Sequence, residues 1–213
     1  MRIRVSMLAA ALFVCSAPVI QAQTISVGVK VGIDFSSLPN AGEVIDQVVK
    51  QPSTETSSKV GALFGGFVTV PFWNRLALQP ELQFVMKGAK LNEGGSGGTV
   101  TASIRYLEFP VLLRYAVPVG EHSGYVLIGP AFGVKAGSSA HLDGSSQSAD
   151  FDIDPAIRTF DAGLAFAAGL DYRRYFFELR YTQGLTDVAA DAYPHADSVK
   201  NRNIAIAAGI RFK

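Results

Sequence analysis

The chain has 213 residues, enough for one domain of ordinary size. Charged residues make up only 17% of it against 48% hydrophobic, and 21 positions are glycine. A formal net charge of +1 argues against a nucleic-acid partner, and beyond the leader described next no run approaches the roughly 20 apolar residues of a spanning helix.

The N-terminus has the layout of a secretory leader. Arg2 and Arg4 precede an apolar stretch from Met7 to Ile20, and Ile20-Gln21-Ala22 fits a cleavage site before Gln23. This predicts a signal peptide over 1–22 and a mature domain over 23–213. Its removal takes Lys plus Arg from 19 to 17 against 18 acids, a mature charge of about −1. The only cysteine, Cys15, lies within the leader, so the mature domain has no internal disulfide. Val14 is bulkier than the small residue expected before an acylated cysteine, which argues against a lipoprotein.

The rest of the chain reads as strands. Over 24–35, Ile25, Val27, Val29, Val31, Ile33 and Phe35 share one face, and Ser26, Gly28, Lys30, Gly32 and Asp34 share the other. A long connection follows over 36–58. Within it Asn40 and Glu43 resemble a capping box before Val44, Ile45, Val48 and Val49, which predicts a short helix resting on the rim. The second strand is expected over 59–70, with its facing blurred by Gly61, Gly65 and Gly66. Phe72 and Trp73 in the following turn suit an interfacial aromatic belt. Over 76–87, Leu78, Leu82, Phe84 and Met86 oppose Gln79, Glu81, Gln83 and Lys87. A glycine-rich connection is expected over 88–102. Over 103–117, Leu107, Phe109, Val111, Leu113 and Tyr115 oppose Glu108 and Arg114. Over 125–137, Val126, Ile128, Phe132 and Val134 oppose Gly129, Ala131, Gly133 and Lys135, and a polar loop is expected over 138–157.

A hairpin is expected over 160–181. Phe160, Leu164, Phe166, Leu170 and Tyr172, then Tyr175, Phe177, Leu179 and Tyr181, form a wholly apolar face. Its other face is Asp161, Gly163, Ala165, Ala167, Gly169 and Asp171, then Glu178 and Arg180. A two-residue Arg173-Arg174 turn would pair Tyr172 with Tyr175 and Gly169 with Glu178, the glycine leaving space for the glutamate. After a last long loop over 186–202, the final strand covers 203–212, with Ile204, Ile206, Ile210 and Phe212 opposing Ala205, Ala207, Gly209 and Arg211.

These strands predict an all-β fold, an eight-stranded antiparallel up-and-down transmembrane β-barrel with short turns at one end and long loops at the other. The polar face decides between lipid and water. A soluble ligand carrier of lipocalin type would turn its apolar face inward and a Lys, Glu, Thr and Ser coat outward. Here the polar face is glycine, alanine and isolated charges of both signs. It suits the inside of a narrow barrel that side chains fill. Lys30, Lys87, Arg114, Lys135, Arg180 and Arg211 balance Asp34, Glu81, Glu108, Asp161, Asp171 and Glu178 on that face, so the set can neutralise itself.

Several of these stretches resemble the outer-membrane β-barrel proteins grouped as PorT-like or porin family, common in Bacteroidetes. They are GVKVGIDFS at Gly28 to Ser36, LQPELQFVMKGAK at Leu78 to Lys90, YLEFPVLLRY at Tyr106 to Tyr115, YVLIGPAFGVKAG at Tyr125 to Gly137, FELRYTQGLTDV at Phe177 to Val188 and NIAIAAGIRF at Asn203 to Phe212. The resemblance implies a Gram-negative outer-membrane barrel with periplasmic termini; it does not imply a catalytic centre. The family ending usually closes on an aromatic residue; here Lys213 follows Phe212.

The chemistry-bearing residues form no recognisable enzyme motif. His122, His141 and His195 all fall in connections, and Ser139 or Ser146 could be drawn together with His141, but serines are abundant in any such loop. Asp150, Asp152, Asp154 and Asp161 graze calcium-loop spacing, but Pro155 stands where the turn glycine belongs. The expectation is therefore no catalytic, cofactor-binding or metal site and no cofactor. The expected contacts are outer-membrane lipid and an extracellular or envelope partner met by the long loops. The function expected is a structural or interaction role with a charge-filled lumen. A narrow pore or secretion-associated channel component, and a soluble periplasmic carrier, are the alternatives.

Overall fold

The computed structural model describes residues 24–38, 53–93, 99–120, 122–143, 148–151, 153–189 and 199–212. The leader, the Asn40–Glu43 capping box, Ser146 and His195 lie outside the described residues. The strands are β1 (Ser26–Ser37), β2 (Ser53–Trp73), β3 (Leu76–Glu93), β4 (Thr99–Val119), β5 (His122–Asp143), β6 (Ser148–Phe151), β7 (Phe160–Tyr172), β8 (Tyr175–Gly184) and β9 (Arg202–Phe212). Eight of them form a closed antiparallel up-and-down ring, each pairing with the next in sequence except that β5 passes over β6 to β7. The ring closes where β1 meets β9, from Val27 opposite Phe212 to Ser37 opposite Arg202. β6 lies outside the ring and pairs with the far end of β5.

The alternation turns its apolar side outward. Val31 is 65% exposed and its neighbour Lys30 is 2% exposed. The same contrast runs round the wall through Phe64, Leu82, Phe109, Ile128, Phe166, Phe177 and Ile206. So continuous an apolar belt is far larger than the few hundred Å² that water-soluble proteins expose. In lipid it costs nothing, because the hydrophobic penalty of about 25 cal/mol per Å² applies only against water. A soluble carrier would need the opposite arrangement. β2, whose facing the sequence leaves open, puts Leu63 and Phe67 inside and Phe64, Val68 and Val70 outside.

The strands are longer than the alternation suggests. β4 has 21 residues and β5 has 22, about twice the ~9–11 that a tilted spanning strand needs. The surplus stands at the loop end as an extension built from β2, β3, β4, β5 and β6. The expected glycine-rich connection over 88–102 shrinks, because β3 runs to Glu93 and β4 starts at Thr99. Of the expected polar loop over 138–157, the described residues form the end of β5, all of β6 and a short 3₁₀ turn at Asp154–Ala156. A bulge explains why alternation loses β5. Tyr106 pairs with Lys135 but Arg105 pairs with Gly137, so Ala136 has no opposite number. Beyond it the parity flips, and Ser138 and Ala140 face inward where Lys135, Gly133 and Ala131 had done so before. Gly137, at φ 143°, sits where a side chain would strain the backbone.

The turns at the other end are tight. Trp73 pairs with Leu76 across Asn74-Arg75, and Tyr172 pairs with Tyr175 across Arg173-Arg174. Arg173 takes φ 57°, so the two-residue register holds although arginine is a poor residue for it.

Candidate functional site

Among the described residues the lumen is where this fold gathers chemistry, and its contents follow from strand parity. Each strand sends every second residue inward, and eight strands leave an interior that side chains can fill. Read from the turn end upward, the filling changes character level by level.

At the turn end, Arg114 of β4 and Arg211 of β9 both bind Asp171 of β7, Arg211 at 3.3 Å. Above them lie three aromatic side chains that charge-based reading misses. Phe67 and Phe176 meet edge to face with centroids 5.4 Å apart. Arg114 stacks on Tyr125 at 3.7 Å, and Arg211 lies over both phenyl rings. The parity signal was present: Phe176 is two residues before Glu178, and Tyr125 is four before Gly129. The glycines opposite these rings have a matching purpose. A Cβ on Gly28 would fall 2.3 Å from Phe67, one on Gly209 2.5 Å from Phe176, and one on Gly169 2.3 Å from Tyr125. Gly169 does pair with Glu178. The space it leaves is filled by the Tyr125 ring, however, and not by the glutamate. Gly28→Ala is expected to lower stability by about 1–3 kcal/mol through overpacking, with partial recovery in Gly28→Ala/Phe67→Leu, read from urea unfolding in detergent micelles.

The middle of the barrel is a closed ion quartet. Lys30 donates to Glu81 at 2.7 Å and to Glu178 at 3.4 Å. The Arg180 guanidinium forks onto both oxygens of Glu81 at 2.8 and 2.9 Å and reaches Glu178 at 2.7 Å. Two cations and two anions cancel; Gln79 adds a donor to Oε1 of Glu81, and Tyr125 donates to Oε2 of Glu178, which neither cation engages. Each of the four side chains is 3% exposed or less. This answers which lumen charges pair: Arg180 holds Glu178 and Glu81, while Arg114 turns to Asp171.

Nearer the loop end, Lys87 binds Glu108 at 2.5 Å and Asp161 at 3.9 Å. Gln83 donates to Glu108, Asn203 to Asp34, and Asn201 and Thr186 to Asp161. Lys135, expected to face fully inward, is half-buried at the bulge and donates to the Ile157 carbonyl at 2.6 Å. Above this level the lumen turns apolar. Leu38, Ala102, Ile104, Tyr106, Ala140, Ile153, Ile157, Val188 and Val199 form one buried cluster. The segments over 153–159 and 185–189 fold across the mouth to complete it. An Ile157–Ala189 bridge and the Arg158 amide donating to the Val188 carbonyl at 2.8 Å fasten them together.

The turn end is open. A cavity of about 710 Å³ enters there, bounded by Ser26, Thr69, Arg75, Arg114, His122, Ser123, Asp171, Arg173 and Arg211.

The remaining candidates do not converge. His122 packs against Tyr172 at the turn end, whereas Ser139 and His141 stand exposed on the outward face of the extension. Asp161 faces the lumen and is engaged by Lys87, Asn201 and Thr186, which removes it from any set with Asp150. Among the described residues no group of three or more His, Cys, Asp or Glu side chains is placed to hold a metal ion.

No curated protein matches the chain. Among solved structures it is similar to Ail, the attachment invasion locus protein of Yersinia pestis, determined in complex with the heparin analogue sucrose octasulfate. That match has 15% identity, covers 89% of this chain and 100% of that one, and has a TM-score of 0.45. It is also similar to the outer membrane protein OprG from Pseudomonas aeruginosa, with 16% identity, 88% and 95% coverage and a TM-score of 0.46. Neisserial surface protein A is a third, with 10% identity, 88% and 97% coverage and a TM-score of 0.45. The family described as "Outer membrane protein beta-barrel domain" matches residues 21–190. With most of its length matched, the chain belongs to that outer-membrane β-barrel family.

Proposed function

We propose that this outer-membrane barrel is a sealed, non-enzymatic scaffold, exported with its 1–22 leader removed, whose loop-end extension presents a surface to an extracellular or envelope partner. The observation that carries this reading is the double closure of the lumen. A neutral ion quartet fills the middle and an apolar cluster caps the loop end. An ion crossing the barrel would have to break several buried charge pairs and then pass through a dry cap, where an unpaired charge costs several kcal/mol. The extension supports the other half of the proposal. It raises β2, β3, β4, β5 and β6 above the apolar belt on a rigid base, the arrangement in which variable segments carry binding. Within the broader family, the motifs at Gly28 to Ser36 and Tyr106 to Tyr115 favour the PorT-like, Bacteroidetes-type group.

A narrow pore is the competing reading, and the open cavity at the turn end favours it, since the first stretch of a water path is already there. Planar-bilayer recording of the purified barrel separates the two. The sealed scaffold gives no steady single-channel steps. Reproducible unitary steps at moderate voltage would establish the pore instead.

A further inference from the structure

We propose that the turn-end cavity is a binding site for an oxyanion, a carboxylate or phosphate group presented from the periplasmic side. Short turns face the periplasm in outer-membrane barrels, so this mouth opens there. The argument begins with charge. Arg75, Arg114, Arg173 and Arg211 border the cavity, and Asp171 is the only acid among its lining residues. The lumen charges balance overall but not locally. The central quartet is neutral, and Lys87 is shared between two acids. At the turn end, by contrast, two guanidiniums share the single carboxylate of Asp171. One positive charge in this wall has no counter-ion.

The hydrogen-bond donors agree. Nη1 of Arg114 and Nε of Arg211 are buried without a hydrogen-bond partner, and Arg114 as a residue is 5% exposed. A buried guanidinium N–H left unsatisfied costs more than a neutral donor would, and an entering anion lowers that cost by drawing the Arg114–Arg211 pair toward itself. Planar guanidinium forks match carboxylate and phosphate oxygens. The cavity, at about 710 Å³, lies in the size range of small-molecule sites and admits a metabolite, a chain end or a lipid head group. Arg75 and Arg173 lie on the exposed turns at its lip, where they would steer anions inward.

The test uses the full barrel folded in a non-ionic detergent, with inorganic phosphate as the probe in isothermal calorimetry. Saturable binding at one site per barrel is expected. Arg75→Gln/Arg173→Gln, which alters only exposed turn residues, should weaken it about threefold to tenfold by removing two of the charges that draw the anion to the mouth. Arg105→Gln, on the outward face of β4 in the extension, should leave it unchanged. Arg211→Gln should weaken it further, with the heat-dependent gel mobility shift confirming that this variant is folded. A second arm identifies the source of the anion. Equal phosphate affinity in nanodiscs of phosphatidylcholine and of phosphatidylcholine with phosphatidylglycerol assigns the site to a soluble anion. Phosphate binding about tenfold weaker in the phosphatidylglycerol discs assigns it to a lipid head group that competes. No saturable binding, or binding that the turn variants leave untouched, overturns the proposal.

Discussion

Arg180→Met is expected to lower the stability of the folded barrel by about 3–5 kcal/mol, the usual consequence of removing one partner from a buried charge set. Arg180 makes both hydrogen bonds of a fork to Glu81 and a third contact to Glu178, so its loss leaves two buried carboxylates with Lys30 alone. The penalty is the stranded negative charge more than the missing contacts, and double variants distinguish the two. Arg180→Met/Glu178→Gln keeps the Lys30–Glu81 pair at 2.7 Å and restores neutrality, so it should recover most of the loss. Lys30→Met/Arg180→Met leaves Glu81 and Glu178 facing each other without a cation and should be the worst of the series. Urea midpoints of barrels folded in detergent micelles, followed by gel mobility or by the emission of the single tryptophan, Trp73, give the comparison. Equal losses in the two double variants would show that the quartet does not act as a charge-balanced unit.

That quartet also marks how far the sequence could be read. Alternation has one period and one decision per strand, so the ring, the inward set and the lipid belt were all legible from residues such as Val29, Lys30 and Val31. Pairing was not. Whether Glu178 meets Arg180 or Arg114 depends on how far each strand is staggered against its neighbours. Stagger is set by ring closure and is invisible in any single strand. The aromatic level was legible in principle, because Phe176 and Tyr125 stand on inward parity. The eye groups Phe176 with its outward neighbours Tyr175 and Phe177 because all three are apolar, and composition then overrides position. The extension was lost for a different reason. At Ala136 one extra residue shifts the parity of β5, and a reading that relies on an unbroken period of two stops there. Polar residues beyond it, such as Ser138 and His141, then look like loop. The 710 Å³ cavity had no sequence signal, since Arg75, Arg114, Arg173 and Arg211 come from separate strands and turns that only closure brings together.

The cap carries the second large effect. Tyr106 is fully buried, sits among Ile104, Ala140, Ile157 and Val188, and has its hydroxyl 3.4 Å from the Asn201 amide. Tyr106→Ala removes a large aromatic from a packed cluster and is expected to cost about 3–5 kcal/mol. The loss should be local. The cap is joined to the barrel through the extension and through segments that cross the mouth, whereas the belt and quartet depend on ladders lower in the ring. Heat-dependent gel mobility should therefore persist, while amide hydrogen exchange accelerates in 99–106, 138–143 and 153–159 and stays slow in β7, β8 and β9. Tyr106→Phe, which keeps the ring and loses only the bond to Asn201, should cost about 1 kcal/mol. Conductance gives the decisive reading. If the quartet and the cap each seal the barrel, Tyr106→Ala remains silent in planar bilayers, and current appears only when Arg180→Met is added. If Tyr106→Ala by itself conducts, the cap is the gate, and the buried charges beneath it form a wetted path and not a plug.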